Sequence, residues 1–185
     1  MADDGVIDLA ARQRAKLETE LARLRASNEA LITLAKANLA AQAQTHAAVL
    51  AILEADTLPA LDRKLAGRVA GALSVDIVRV FIEGHAPLPA GEAIQACAPE
   101  LTDALLGARA ERLGPVDARY ADALYAGRAG ALRTEAIVRL DIAGVSGMLC
   151  LASRDGEAFR PDQGADLLHF LARVVERRLA PWLKA

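Results

Sequence analysis

The chain has 185 residues, of which 54% are hydrophobic and 25% are charged. This balance is typical of a globular protein, and the length suits one domain with an appendage. Aromatic residues contribute only 3%, and the formal net charge is -2. These values argue against a nucleic-acid partner, because neither a base-stacking surface nor a broad basic footprint is expected.

The first residues, MADDGVIDLAARQR, contain early acids and no long apolar core, so no secretory signal is predicted. No run approaches the roughly 18 apolar residues that a membrane helix needs. Two cysteines, Cys97 and Cys150, are too few for a disulfide framework or a four-cysteine metal site. We therefore expect a cytoplasmic protein without a membrane partner.

A long N-terminal helix is predicted from about Asp8 to Glu54, because this run lacks proline and glycine and is rich in strong helix formers. Six residues in it follow the alternating spacing of a coiled-coil seam: Leu17, Leu21, Leu24, Asn28, Leu31 and Ala35. The first, third and fifth take heptad position d, and the others take position a. We predict that the first five mediate homodimerisation.

Two features of the seam favour a parallel pair. A lone asparagine at position a, Asn28, fixes register and a two-stranded state because its amide is satisfied across the seam. Glu20 at position g and Arg25 at the following e are placed for a weak interchain ion pair. The seam is short, and its positions become polar after Ala35. Packing of the helix against its own domain is therefore the alternative.

An α/β arrangement is predicted beyond Asp56. Thr57 is the expected N-cap of a second helix, with Pro59 in its first turn and an apolar face along Leu61, Leu65, Val69 and Leu73. Strands are predicted at Val75–Glu83, Leu113–Val116, Thr134–Ile142 and Ser146–Ser153, the last two as a hairpin. Further helices are predicted within Glu100–Ala110 and Pro161–Ala180, and Tyr120–Tyr125 is predicted to be another helix or a loop.

This order of elements predicts an α+β fold, with an antiparallel sheet flanked by helices and preceded by the long coiled-coil-type helix. The predicted division is an N-terminal helix over residues 1–54 and a sheet domain over residues 55–185.

The stretch ALRTEAIVRLDIAGVSGMLCLASRDGEAFRPDQGADLLHFLARVVERRLAPWL resembles the C-terminal half of a bacterial GAF-like family, domain of unknown function 484. That family has a Gly-Leu-Leu-Ala-Leu-Gly-Ser-type strand, a Ser-Arg-Asp turn and a leucine-rich final helix. The corresponding residues here are Gly147–Ser153, Arg154, Asp155, Phe159, Gly164 and Leu167–Leu171. The resemblance implies a GAF-like fold, and such domains typically bind a small ligand between the sheet and its covering loops.

A candidate ligand contact comes from two arginines. Arg79 and Arg139 each interrupt an otherwise apolar strand. If both point to the ligand face they would bind an anionic group, because guanidinium suits carboxylate or phosphate. The alternative is that this face is partly solvated and the arginines only shield it.

No catalytic machinery is recognised. His46, His85 and His169 have no partner at metal-ligand spacing, and no Gly-x-Ser-x-Gly occurs, so no metal or other cofactor is predicted. Among GAF-like proteins, a bilin attaches to a cysteine, but no chromophore-type histidine motif flanks Cys97. The free-methionine sulfoxide reductase type uses several cysteines, and Cys97 with Cys150 would have to serve that purpose.

We therefore expect a non-catalytic regulatory module that forms homodimers, senses a small molecule and signals through a separate protein. One alternative is a small redox enzyme, which requires a low-pKa, rapidly alkylated Cys97. Another is a structural adaptor with a collapsed, ligand-free pocket.

Overall fold

The computed structural model describes residues 3–84, 91–161 and 165–183, with side chains described from residue 11. Met1–Ala41 form one compact unit and Gln42–Ala185 form another. His85 and Gly164, both considered above, lie outside the described residues. Helix α1, Asp3–Leu53, is continuous, and its last turns belong to the second unit, where Ala48 and Ile52 are buried.

The second helix begins where its cap was predicted. Thr57 has extended backbone angles, and its hydroxyl oxygen accepts the Ala60 N–H at 3.3 Å. Helix α2 covers Leu58–Lys64 and passes through a π-helical turn, Leu65–Val69, into the short helix α3, Ala70–Leu73. The apolar face of this run is buried at Leu61, Leu65 and Val69.

Five strands form one sheet: β1 Ile77–Glu83, β2 Ile94–Cys97, β3 Glu111–Pro115, β4 Thr134–Ile142 and β5 Val145–Ser153. Their spatial order is β2-β1-β5-β4-β3. The remaining helices are α4 Leu101–Leu106, α5 Ala121–Tyr125, a 3-10 segment Ala126–Ala131, and α6 Asp166–Leu183. A long N-terminal helix followed by a sheet flanked by helices confirms the predicted α+β fold class.

Two details differ from the sequence prediction. The sheet is mixed rather than wholly antiparallel, because the unforeseen edge strand β2 pairs in parallel with β1. Helix α6 continues through Pro181 to Leu183, although proline was expected to disturb its end. Trp182 and Leu183 pack against the core, and Arg178, one turn earlier in the same helix, lies over the Trp182 ring at 5.1 Å. Tertiary packing and this local contact together hold the last turn.

The two faces of the sheet carry separate apolar clusters. On the α6 face, residues such as Val80, Val138 and Leu149 pack with Ile52, Leu65 and Val175 from α1, the π-helical turn and α6. On the opposite side, the α5 face, strand residues pack with Leu105, Leu106, Leu124 and Tyr125 of α4 and α5; the strand residues are Ile77, Phe81, Ile137, Met148, Cys150 and Ala152. Helices therefore cover both faces.

Strand β2 is attached to α2 by one carboxylate. Asp62 accepts the N–H groups of Glu92, Ala93 and Ile94 at 3.1, 2.9 and 2.7 Å. Consecutive N–H groups that converge in this way form an anion-binding nest, which the chain fills with its own side chain. Gly91 permits the approach, because a Cβ there would lie 2.1 Å from Asp62 Oδ1.

We expect Asp62→Ala to lower the free energy of unfolding by about 2 kcal/mol, because three backbone donors lose their acceptor. Gly91→Ala should also destabilise the protein, but much less when Asp62 is already alanine, since the clashing oxygen is then gone. Urea unfolding of both single variants and the double variant measures this coupling. An equal cost of Gly91→Ala in both backgrounds would contradict the attachment.

Candidate functional site

The predicted seam is an exposed apolar row on α1. Every side chain from Ala11 to Ala40 is exposed, and the seam leucines at 17, 21, 24 and 31 keep between 47% and 67% of their accessible surface. Asn28 lies among them and is exposed as well. A contiguous row of exposed large apolar side chains marks an interaction surface rather than an ordinary solvated face.

Three further exposed residues flank this row: Ile32, Leu34 and Leu39. In the heptad frame of the seam they take positions e, g and e. The sequence prediction of the interface did not include them, because the seam was assigned from positions a and d and only Glu20 and Arg25 were considered beside it. The sequence does contain the pattern that identifies them, because large apolar residues at e or g widen an apolar stripe beyond a two-stranded seam.

The sheet register puts Arg79 and Arg139 on the same face, the α5 face. Arg79 is opposite Cys150 on β5, and Arg139 is opposite Met148 two residues away. Strand β5 lies between them, so their Cα atoms are roughly 12 Å apart by strand geometry.

Each of these arginines binds a different covering helix. Arg79 Nη1 donates to the Leu124 carbonyl oxygen of α5 at 2.6 Å. Arg139 donates from Nη1 to Asp103 of α4 at 2.7 Å and from Nη2 to the Gly107 carbonyl at 2.6 Å. Both guanidinium groups therefore connect the sheet to its cover.

A buried polar cluster on the same face was not foreseen. Glu135 of β4 is fully buried and forms an ion pair with Arg112 of β3. It also accepts the Tyr125 hydroxyl at 2.5 Å and the Asp117 N–H at 2.9 Å. Burial, followed by the nearby Cys150 and Glu135, raises the pKa of Tyr125. We call Glu135, Arg112 and Tyr125 the Glu135 cluster.

The two cysteines are poorly placed for redox chemistry. Burial, and then the charge of Glu83, raises the pKa of Cys97 to about 11, and burial raises the pKa of Cys150. Their strands lie on either side of β1, which separates their Cα atoms by roughly 10 Å across the sheet alone. A disulfide needs Cα atoms within about 7 Å.

We expect Cys97 to react slowly with iodoacetamide in the folded protein. With a pKa near 11, the thiolate fraction at pH 8 is about 100-fold below that of an ordinary thiol. The rate should rise as pH approaches 11 and should become ordinary in urea. Peptide mass spectrometry of timed reactions measures it. Rapid labelling of the folded protein near pH 7 would contradict the raised pKa and favour the redox alternative.

Two cavities lie near these groups. One of about 150 Å³ is lined by Arg139, His169 and Glu176 among others. Two of its side chains already have side-chain partners: His169 lies 3.0 Å from Glu111, and Glu176 pairs with Arg173 at 2.9 Å. Another of about 350 Å³ adjoins α5 and the 3-10 segment. Its size is in the range of small-molecule sites.

A comparison with protein-family models matches residues 1–184 to the family described as a protein of unknown function, DUF484. The chain belongs to the DUF484 family. The match extends over both compact units, so α1 is part of the family's pattern as much as the sheet is. A search of curated proteins found no match.

The described residues of this DUF484 protein give two further results. Among them, no group of three or more histidine, cysteine, aspartate or glutamate side chains is arranged to hold a metal ion. No helix within the same ranges is long and apolar enough to cross a membrane.

Proposed function

We propose that this chain is a non-catalytic, GAF-like regulatory module that forms homodimers through α1, senses a small anionic molecule and signals through a partner protein. The observation that carries the proposal is the exposed seam of α1. A solvent-exposed helix gains little stability from its own hydrogen bonds, because most helical stability in proteins comes from burying an apolar face. The seam provides that face.

The side chains around the seam support a parallel pair. Burying a leucine that is now exposed contributes about 1.5–3 kcal/mol, and each chain brings four such residues to the seam. Asn28 at position a pairs with its counterpart only in the matching register. Glu20 and Arg25 then come together between the two chains.

The sensing part of the proposal rests on Arg79 and Arg139. Arg79 donates to a neutral carbonyl oxygen of α5, whereas Arg139 donates to a neutral carbonyl oxygen and to the Asp103 carboxylate, which is largely exposed. An anionic ligand would offer a charged acceptor in place of the carbonyl oxygens, and charged acceptors bind guanidinium more strongly. Such a ligand would release α4 or α5 from the sheet. Helix α1 packs Ile52 against the opposite face of the same sheet, so a rearrangement of α4 or α5 would have to pass through the strands to reach the seam.

A non-catalytic role is supported by the thiols. A redox enzyme of the type considered above attacks with a thiolate, and the raised pKa values of Cys97 and Cys150 disfavour that form at neutral pH.

A second candidate, the ligand-free adaptor, is favoured by one observation. Arg79 and Arg139 already have acceptors within the chain at 2.6–2.7 Å. In that case the arginines hold α4 and α5 permanently against the sheet, and the module acts only through its α1 interface.

Native mass spectrometry of the freshly purified full-length chain, set against its denatured mass, tests the proposal. We expect an even number of copies carrying a non-covalent adduct that denaturation releases. Arg139→Gln should lose the adduct, whereas the control Arg154→Gln, at a residue paired with Asp76, should keep it. Associated chains without an adduct would support the adaptor, and a monomer would contradict both candidates.

A further inference from the structure

The character of α1 changes abruptly near residue 30. Residues 16–29 carry six charged side chains, whereas residues 30–43, ALITLAKANLAAQA, carry one, Lys36. Ten residues of this second segment are apolar. Those from 30 to 40 are exposed. A helix that is apolar around most of its circumference is normally buried on more than one side.

The change is sharpest at the positions that flank the seam. From Gln13 to Ser27, position g is polar throughout, and position e holds Glu18 and Arg25. From Ile32 to Ala41 both positions are apolar, with Leu34 at g and Leu39 at e. Charged e and g positions confine a coiled coil to its two-stranded partner, and apolar ones leave it with uncovered flanks.

In a parallel dimer these flanks combine across the pair. Position g of one helix lies beside position e of the other, so Leu34 of one chain approaches Leu39 of its partner. Because the dimer is two-fold symmetric, this produces two identical apolar strips on opposite sides of the pair. Neither strip is covered by the seam, which buries only positions a and d.

We infer that the strips formed by Ile32, Leu34 and Leu39 bind a second copy of the dimer, so that four α1 helices surround this segment. This inference rests on the proposed seam. In a bundle of four α1 helices, positions e and g of every helix face a neighbouring helix, so all the strips are covered and the assembly closes at four chains. The strip is also continuous with the seam.

The charge pattern argues against other occupants. An acidic or basic protein partner would be steered by complementary charges, and residues 30–43 offer only Lys36. A helix lying on a membrane surface needs a strongly charged face beside its apolar one, and this segment has none. The same segment of a second copy is almost uncharged, so its binding needs neither complementary charges nor a charged helix face.

The test is light scattering after size-exclusion chromatography of full-length variants. Wild type should have four times the chain mass. The triple variant Ile32→Gln, Leu34→Gln, Leu39→Gln should have twice the chain mass, because it keeps the seam. The control variant Thr33→Gln, Ala37→Gln, Ala40→Gln changes outer positions c and f and should remain tetrameric. Glutamine is a good helix former, and circular dichroism confirms that helix content is kept.

Every other outcome overturns the inference, and the outcomes separate it from the proposed function. A wild-type dimer leaves the seam standing and removes the second copy, even if the strip proves to bind a vesicle or another protein. A tetramer unchanged by the triple variant places the second contact elsewhere. A wild-type monomer removes both the seam and the strip.

Discussion

Leu24→Glu is expected to convert the protein into monomers. Leu24 takes position d near the middle of the seam and is among its most exposed residues in the single chain. Two-fold symmetry introduces the substitution twice. Loss of a buried leucine costs about 2–5 kcal/mol, so the pair loses at least about 4 kcal/mol, or a thousandfold in Kd. The buried carboxylates add to this loss.

Sedimentation equilibrium of the full-length variants measures this effect. Ala22→Glu is the matched control, because it introduces the same side chain two residues away at the outward position b. It should associate as the wild type does. If Leu24→Glu also associates normally, the interface uses another face of α1 and the assignment of Leu17, Leu21, Leu24, Asn28 and Leu31 is wrong.

Glu135→Leu is expected to destabilise the fold by about 3 kcal/mol or more. The substitution leaves Arg112 without its buried counter-charge, and the Tyr125 hydroxyl and the Asp117 N–H lose their acceptor. Removing one partner of a buried ion pair typically costs about 3–5 kcal/mol. The lower end applies, because the Arg112 side chain is partly exposed and can turn toward water.

Urea unfolding with a rescue variant separates this cause from simple loss of packing. Arg112→Met added to Glu135→Leu should recover a large part of the lost stability, because no unpaired charge is then left. Glu157→Gln, at an exposed carboxylate, should change stability by less than about 0.5 kcal/mol. A double variant as unstable as Glu135→Leu alone would show that the ion pair is not what the cluster contributes.

The elements that local pattern determines were predictable. The run without glycine or proline forms α1, the Thr57 cap begins α2, and the alternating segments on either side of Gly144 form the β4–β5 hairpin. In each case the deciding interactions join residues close together in the chain, so composition and spacing carry them. The heptad spacing of the proposed seam can likewise be counted directly from the sequence, and its role in association stays a prediction.

Strand β2 and the positions of the charged side chains were decided only by tertiary structure. Four residues after a proline-rich stretch show no strand period, and they pair because β1 and the carboxylate of Asp62, some thirty residues away, satisfy their backbone. In the sequence, Glu135 is only one polar residue within a predicted strand, and nothing nearby indicates its partners. Its partners Arg112 and Tyr125 come from β3 and α5, brought beside it by the fold.

The same division holds for the candidate site. Alternation along β1 and β4 predicted that Arg79 and Arg139 lie on the opposite face of their strands from Val80 and Val138. The hydrogen bonds of these arginines to the covering helices involve residues distant in sequence. The pKa of Cys97 is raised by burial and by Glu83, which the fold brings beside it. Spacing determined which residues share a face, and long-range packing determined what each of them touches.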